Sequence, residues 1–237
     1  MTQLDAQTWL PLLTGESLLC SLLGQIFYTH PERKWLEALS DSRDIFAEAP
    51  FAEEQPDMIE GLAAVRAWFD AHPGSLDDEA LTELKVDYAR LFIGTTEQML
   101  AYPWESVYIS KMPFLFLEST LEVRDWYRRY GLEVVNFKRE PEDFIGFELS
   151  FLAHLSQLAL DAAEQGDMDG VAALVKAQRD FLSEHLLRWG FEWANRAAQH
   201  AETDFYRGFV LMARGALAEL AVVYDVAPQA PDIAARQ

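Results

Sequence analysis

Apolar residues recur along this chain mostly with the spacing of helical turns. In "DMIEGLAAVRAWFDA", residues 57–71, Met58, Leu62, Val65 and Phe69 fall on one face, the pattern of an amphipathic helix. Pro73-Gly74 ends it. Ser75 with Asp78 has the form of a capping box. It opens "LDDEALTELKVDYARLFI", where Leu81, Leu84, Tyr88, Leu91 and Phe92 form the stripe. "STLEVRDWYRRYG" predicts a helix from near Ser119 that stops at Gly131, a left-handed cap. Further helices are predicted near 15–29, 32–39, 168–188, 190–201 and 203–225. The last is apolar on more than one face, so it is expected at the centre. "EVVNF" at 133–137 is too short and isolated to predict a strand. The pattern therefore predicts an all-α fold, a single globular helical bundle over residues 1–237 with roughly eight to twelve helices and no significant sheet. Two stretches lack the helical period, 93–117 and 132–139, and are the expected functional loops. A hinge is expected near 132–141 and a mobile tail over 226–237.

One stretch breaks the pattern with charge. "EPEDFIGFELSFLAHL", residues 140–155, gathers Glu140, Glu142 and Asp143 around Pro141. Pro141 suits the first position of a helix, where its missing N–H would have had no partner. The carboxylates then sit at the positive end of the helix dipole, each favoured by about 0.3–1 kcal/mol. Downstream, Phe144, Phe147, Phe151, Leu155 and Leu158 follow helical spacing, and Glu148 falls on the same side. A carboxylate on an apolar stripe needs a partner or a raised pKa. An internal arginine such as Arg90 is the expected partner. In "AYPWESVY", residues 101–108, Tyr102, Trp104 and Tyr108 are large and amphipathic, and Pro103 stiffens the chain. Two readings stand side by side: anchors of a peptide-binding surface, or a loop folded back on the core.

Half of the 237 residues are hydrophobic and 13% are aromatic, which calls for a packed globule. Lys plus Arg number 19 against 39 Asp plus Glu, a formal net charge of −20. Such a surface repels nucleic acid and anionic lipid. It attracts a basic partner, or simply keeps the chain soluble. Cys20 stands alone in "SLLCSLLGQIFY" and is expected to be a small buried hydrophobe rather than a reactive thiol. That run is too short to span a bilayer, and the N-terminus has no positive n-region of a secretory signal. Arg128-Arg129 lies too far along to be an export signal. A cytoplasmic protein is expected.

The chemistry-bearing patterns are absent. No phosphate loop, H-E-x-x-H or di-iron signature occurs. His154 is expected to be structural, and His185 to end a helix in a favourable dipole contact. No enzyme activity, cofactor or metal is expected.

Three stretches together resemble the TorD/DmsD-type redox-enzyme maturation chaperones: "DYARLFIG" at 87–94, "YPWESVY" at 102–108 and "EPEDFIGFELSFLAHL" at 140–155. The family pattern is Y-x-R-L-F-x-G, then a Pro-aromatic-x-S-V-aromatic loop, then E-P-x-D-H with E-L-x-F-M downstream. "HLLRW" at 185–189 and "FY" at 205–206 extend the likeness. The resemblance implies a cytoplasmic, all-helical chaperone, monomer or homodimer, that binds the twin-arginine leader of a molybdopterin oxidoreductase catalytic subunit, and in some cases its body, before export. Carried over by position, the leader-binding residues are Tyr102, Pro103, Trp104, Ser106, Tyr108, Pro141 and Asp143. Tyr88 and Arg90 match the first motif and are read as structural. The family's histidine is Phe144 here, so a titratable donor has become a hydrophobe. Glu142 and Asp143 are expected to accept guanidinium forks, and Phe144 and the aromatic loop to hold the apolar part of the leader. A scaffold with another protein client is the alternative, and a nucleotide hydrolase built on the acidic cluster a weaker one.

Overall fold

The computed structural model describes residues 6–74, 76–93, 99–109, 118–134 and 141–229. Among them are ten α-helices: α1 (Ala6–Tyr28), α2 (Arg33–Asp41), α3 (Pro56–Ala71), α4 (Asp78–Phe92), α5 (Glu105–Ile109), α6 (Glu118–Arg129), α7 (Ile145–Glu164), α8 (Met168–Glu184), α9 (Gly190–His200) and α10 (Asp204–Val223). Short 3-10 turns cover Arg43–Phe46 and Leu186–Arg188. The described residues contain no strand beyond one isolated antiparallel bridge, Trp104 with Phe144. The fold is all-α, as the periodicity predicts.

The helix ends follow local chemistry. Pro56 opens α3 in the first turn. Ser75 and Glu140 lie outside the described residues, as do 135–140 of the expected hinge and 230–237 of the expected tail. The cap of α4 is Asp77, whose carboxylate accepts from the Ala80 amide at 2.8 Å, satisfying one of the orphan donors of the first turn. α6 stops as expected. Gly131 has φ +78, and its amide donates to the Arg128 carbonyl while Leu132 donates to Tyr127, the double closure of a Schellman cap.

Two expectations are corrected. α1 begins at Ala6 rather than near 15, with Pro11 inside it. Thr8–Tyr28 is accordingly long and apolar enough to cross a membrane by length and composition, contrary to the shorter run read from the sequence. Its apolar side chains have another use: Leu13, Leu19, Cys20, Leu23, Ile26 and Phe27 are fully buried in the protein core. Pro141, by contrast, does not start a helix. α7 begins four residues later, with Phe144 in extended conformation at its N-cap. A tertiary contact overrides the local preference. The Glu105 amide donates to the Asp143 carbonyl at 3.0 Å, and the Ile145 amide to the Pro103 carbonyl at 2.8 Å, so the turn at 142–143 is fastened to the loop before α5.

Two tight helix pairs organise the core. α1 packs along α7, and α3 along α10. Each pair meets at facing glycines. A Cβ on Gly24 would stand 2.7 Å from the Gly146 carbonyl oxygen, and one on Gly61 would stand 2.6 Å from that of Gly208. α10 is buried on several faces, with Phe205, Tyr206, Phe209, Val210, Ala213, Ala216 and Leu220 inaccessible. It is the central helix, as its all-round apolarity predicts.

Candidate functional site

The bridge between 103–105 and 143–145 brings the aromatic loop and the acidic turn together. Sequence alone left their relation open; the structure makes them one assembly. The Asp143 carboxylate accepts from the Ser106 amide at 2.7 Å and from the Thr120 hydroxyl at 2.9 Å. It therefore caps the first turn of α5 and ties it to α6. Glu142 takes a forked pair from Arg124, Nε to Oε1 at 2.7 Å and Nη2 to Oε2 at 3.1 Å. The Tyr127 hydroxyl donates to the Glu142 carbonyl at 3.0 Å.

The two carboxylates expected to accept guanidinium forks are both engaged within the chain, Glu142 by a guanidinium and Asp143 by an amide and a hydroxyl. Asp143 is inaccessible and Glu142 is 2% exposed, and each has donors within the chain. A carboxylate must be satisfied before it can be buried, and here the donors stand 18 to 37 positions away along the chain. Sequence showed the acid but not the donors.

Of the other expected site residues, Tyr102 is half-buried, and Pro103, Trp104, Ser106, Tyr108, Pro141 and Phe144 are buried. Phe144 meets Tyr28 and Phe147 edge-on, with ring centroids 6.1 and 5.4 Å apart. Tyr108 packs on Trp189 at 5.3 Å. Of the two readings of the aromatic loop, the packing matches the loop folded back on the core.

Behind the bridge lies a buried polar cluster that the sequence showed only in part. Glu148 does not pair with Arg90. Its carboxyl accepts from the Trp189 indole at 3.3 Å. Burial above all, then the nearby Glu105 and Asp143 carboxylates, push its pKa well above the usual range, so it holds its proton. Arg90 instead reaches Glu202 and the His200 carbonyl. His185 Nδ1 lies 3.0 Å from Glu105 Oε2, and both residues are buried. Burial raises the Glu105 pKa, and His185 opposes that. The helix-end reading of His185 missed this partner. His154 contacts the Tyr130 carbonyl at 3.2 Å, a structural role as expected. The Tyr88 hydroxyl donates to the Phe27 and Tyr28 carbonyls, closing the end of α1.

Open space adjoins the acidic turn on one side. An apolar pocket of about 230 Å³ is lined by Tyr28, Tyr127, Leu132, Val134, Phe147 and Phe151, with Glu133 and Ser150. A second pocket of about 410 Å³ holds Arg124, Arg128 and Glu142, and shares Tyr127 and 132–134 with the first. Phe144 stands directly behind the apolar pocket through its contacts with Tyr28 and Phe147. Sequence reasoning missed these walls. Phe147 and Phe151 read as core because they share the α7 stripe, and Tyr28 read as a helix end. The one signal was the lost period at 132–139. Among the described residues no group of three or more His, Cys, Asp or Glu side chains is arranged to hold a metal ion.

A family model described as nitrate reductase delta subunit matches residues 49–195. The chain is 30% identical over 198 residues to the Tat proofreading chaperone DmsD of Salmonella typhi, covering 84% of this chain and 85% of that protein. It is 33% identical over 128 residues to the chaperone protein TorD of Vibrio cholerae, covering 54% of this chain and 56% of that one. It is also 29% identical over 153 residues to TorD of Aliivibrio fischeri, 65% and 68% of the two chains.

Proposed function

This chain belongs to the TorD/DmsD family of chaperones, the family described as nitrate reductase delta subunit, and on that premise we propose that it binds the twin-arginine leader of a molybdopterin oxidoreductase catalytic subunit in the cytoplasm, before export. Family members are chaperones rather than enzymes, and so is this chain. The leader is two guanidiniums followed by an apolar run. The observation that carries the proposal is the paired pocket: an apolar chamber and a charged chamber share one wall, Tyr127 and 132–134.

The expected site residues enter this reading in two ways. Phe144 backs the apolar pocket through Tyr28 and Phe147, Ser106 and Asp143 fasten the turn that carries Glu142, and Trp104, Tyr108 and Pro141 are buried in the packing. Tyr102 and Pro103 carry the strand-like arm that latches that turn. Glu142 alone among them lines a pocket. Fixed walls suit a peptide site because little ordering is left to pay for on binding.

The test is titration of the purified protein with the leader peptide of its cognate enzyme. Affinity is expected to fall by at least about tenfold when both leader arginines become alanine, and again when the apolar run is deleted. Unchanged affinity in both peptides would overturn the proposal. The burial of Asp143 and the hydrophobe at Phe144 favour one second reading, a helical scaffold for a client without such a leader. What co-purifies from native cytoplasm separates the two: a precursor carrying a twin-arginine leader, or a protein without one.

A further inference from the structure

The forked ion pair in the charged chamber has an unusual position. Arg124 comes from α6, Glu142 from the turn before α7, and both line the same open pocket. The carboxylate is 2% exposed, whereas the guanidinium that covers it is 18% exposed. Arg124 is thus the lid and Glu142 the floor. The shape of the seat is shown by its present occupant: two parallel N–H donors on two carboxylate oxygens, a geometry that a guanidinium fills and an ammonium cannot. One turn along α6, Arg128 lines the same chamber, as does Glu133. Two cations and two anions therefore balance there. The chamber is neutral only because Arg124 is in place.

We propose that Arg124 is a displaceable internal stand-in, so that an arginine side chain of an incoming peptide takes its place on Glu142 while a neighbouring apolar side chain enters the chamber beside it. This rests on the leader-binding reading and adds a residue that sets its strength and selectivity. Exchange of one guanidinium for another leaves the pair itself nearly unchanged. Arg124 swings from a partly exposed position into water while the incoming guanidinium keeps the buried carboxylate paired, so no buried charge is left alone. The gain comes from the apolar chamber, which Arg124 cannot fill and the peptide can. An internal competitor of this kind weakens binding of any lone cation. Only a ligand that carries both an arginine and an adjacent apolar side chain overcomes it.

The experiment uses the full chain and a fluorescent synthetic peptide with an Arg-Arg pair followed by an apolar run, beside the same peptide with Lys-Lys. Binding is read by anisotropy for the wild type, Arg124→Gln, Arg124→Lys, Glu142→Gln and the Arg124→Gln/Glu142→Gln pair. Arg124→Gln is expected to tighten the Arg-Arg peptide by about tenfold and the Lys-Lys peptide by clearly less. Arg124→Lys should move the same way by less. Glu142→Gln should weaken binding and abolish the gain in the double variant. If the wild type binds but neither Arg124 variant tightens binding, the stand-in proposal is overturned and leader binding survives. If the wild type fails to distinguish the Arg-Arg peptide from an unrelated one, the leader reading fails with it. Should Arg124→Gln not fold, Arg124→Lys decides alone, since it keeps a cation over the buried carboxylate.

Discussion

Glu16 shows what a single buried acid does to this fold. It sits on α1, almost inaccessible, and the Tyr224 hydroxyl donates to it at 2.7 Å. Burial raises its pKa from 4.5 to about 8, against the opposing hydrogen bond from Tyr224. Between those two values the folded chain keeps a proton that the unfolded chain has lost. Stability is therefore present in full below about pH 4.5 and is lost as pH rises toward 8, at up to about 1.4 kcal/mol per unit. Glu16→Gln keeps an oxygen for Tyr224 but removes the proton. Urea denaturation at pH 5 and pH 8 is expected to show the variant gaining on the wild type by up to about 3 kcal/mol at the higher pH. An unchanged difference would place the titration elsewhere. Glu16 was invisible in the sequence as anything but a polar residue in an apolar run. Its meaning depends on Tyr224, more than two hundred positions away, and no periodicity reports that distance. The same holds for Asp143 and its donors. The sequence located the acid and the aromatic loop that matter, but burial reversed their expected orientation.

At the scale of elements, the two glycine crossings set how closely the helices approach. Gly61→Ala is a sharp test because two effects oppose each other. Alanine favours an isolated helix over glycine by about 1 kcal/mol. The added Cβ, however, would lie 2.6 Å from the Gly208 carbonyl oxygen, and a backbone atom in the middle of α10 cannot step aside. Overpacking costs about 1–3 kcal/mol or more, so the net is expected to be a loss of stability and a lower Tm by circular dichroism. A gain would mean that α3 and α10 stand further apart. The helices themselves were largely legible. Residues 57–71 and 190–201 read correctly because each has an apolar stripe and a cap or break, whereas the helix expected over 168–188 ends at Glu184 and gives way to a 3-10 turn at Leu186–Arg188. The start of α1 did not, since Pro11 and the polar residues around it hide the period. The start of α7 did not, because a bridge to Trp104 outweighs the preference of Pro141 for a first turn. In both cases a contact distant in sequence decided the outcome.

For the molecule as a whole, the charge of −20 acts at long range. Most of it lies outside the pockets, whose charges balance. It should therefore speed the approach of a basic peptide without fixing its pose. Stopped-flow binding of the leader peptide is expected to show an association rate that falls by about tenfold between 0.05 and 0.5 M salt, as the Debye length shortens from roughly 14 to 4 Å, with little change in the dissociation rate. A salt effect confined to dissociation would move the recognition from the field to a local contact. All-α class and strong acidity were plain from composition and pattern. The paired pocket was not, because its walls come from α1, α6, α7 and the stretch after Gly131, none of which signals a cavity by itself.

The bridge of Trp104 to Phe144 has one more consequence. It fastens together the two ends of an excursion that carries α5 and α6, much as a clasp closes a necklace. Ser106, Thr120, Arg124 and Tyr127, all carried by the excursion, bond to Asp143 or Glu142 at the clasp, so this face of the protein and the start of α7 are set as one piece, and a change in either is felt by the other.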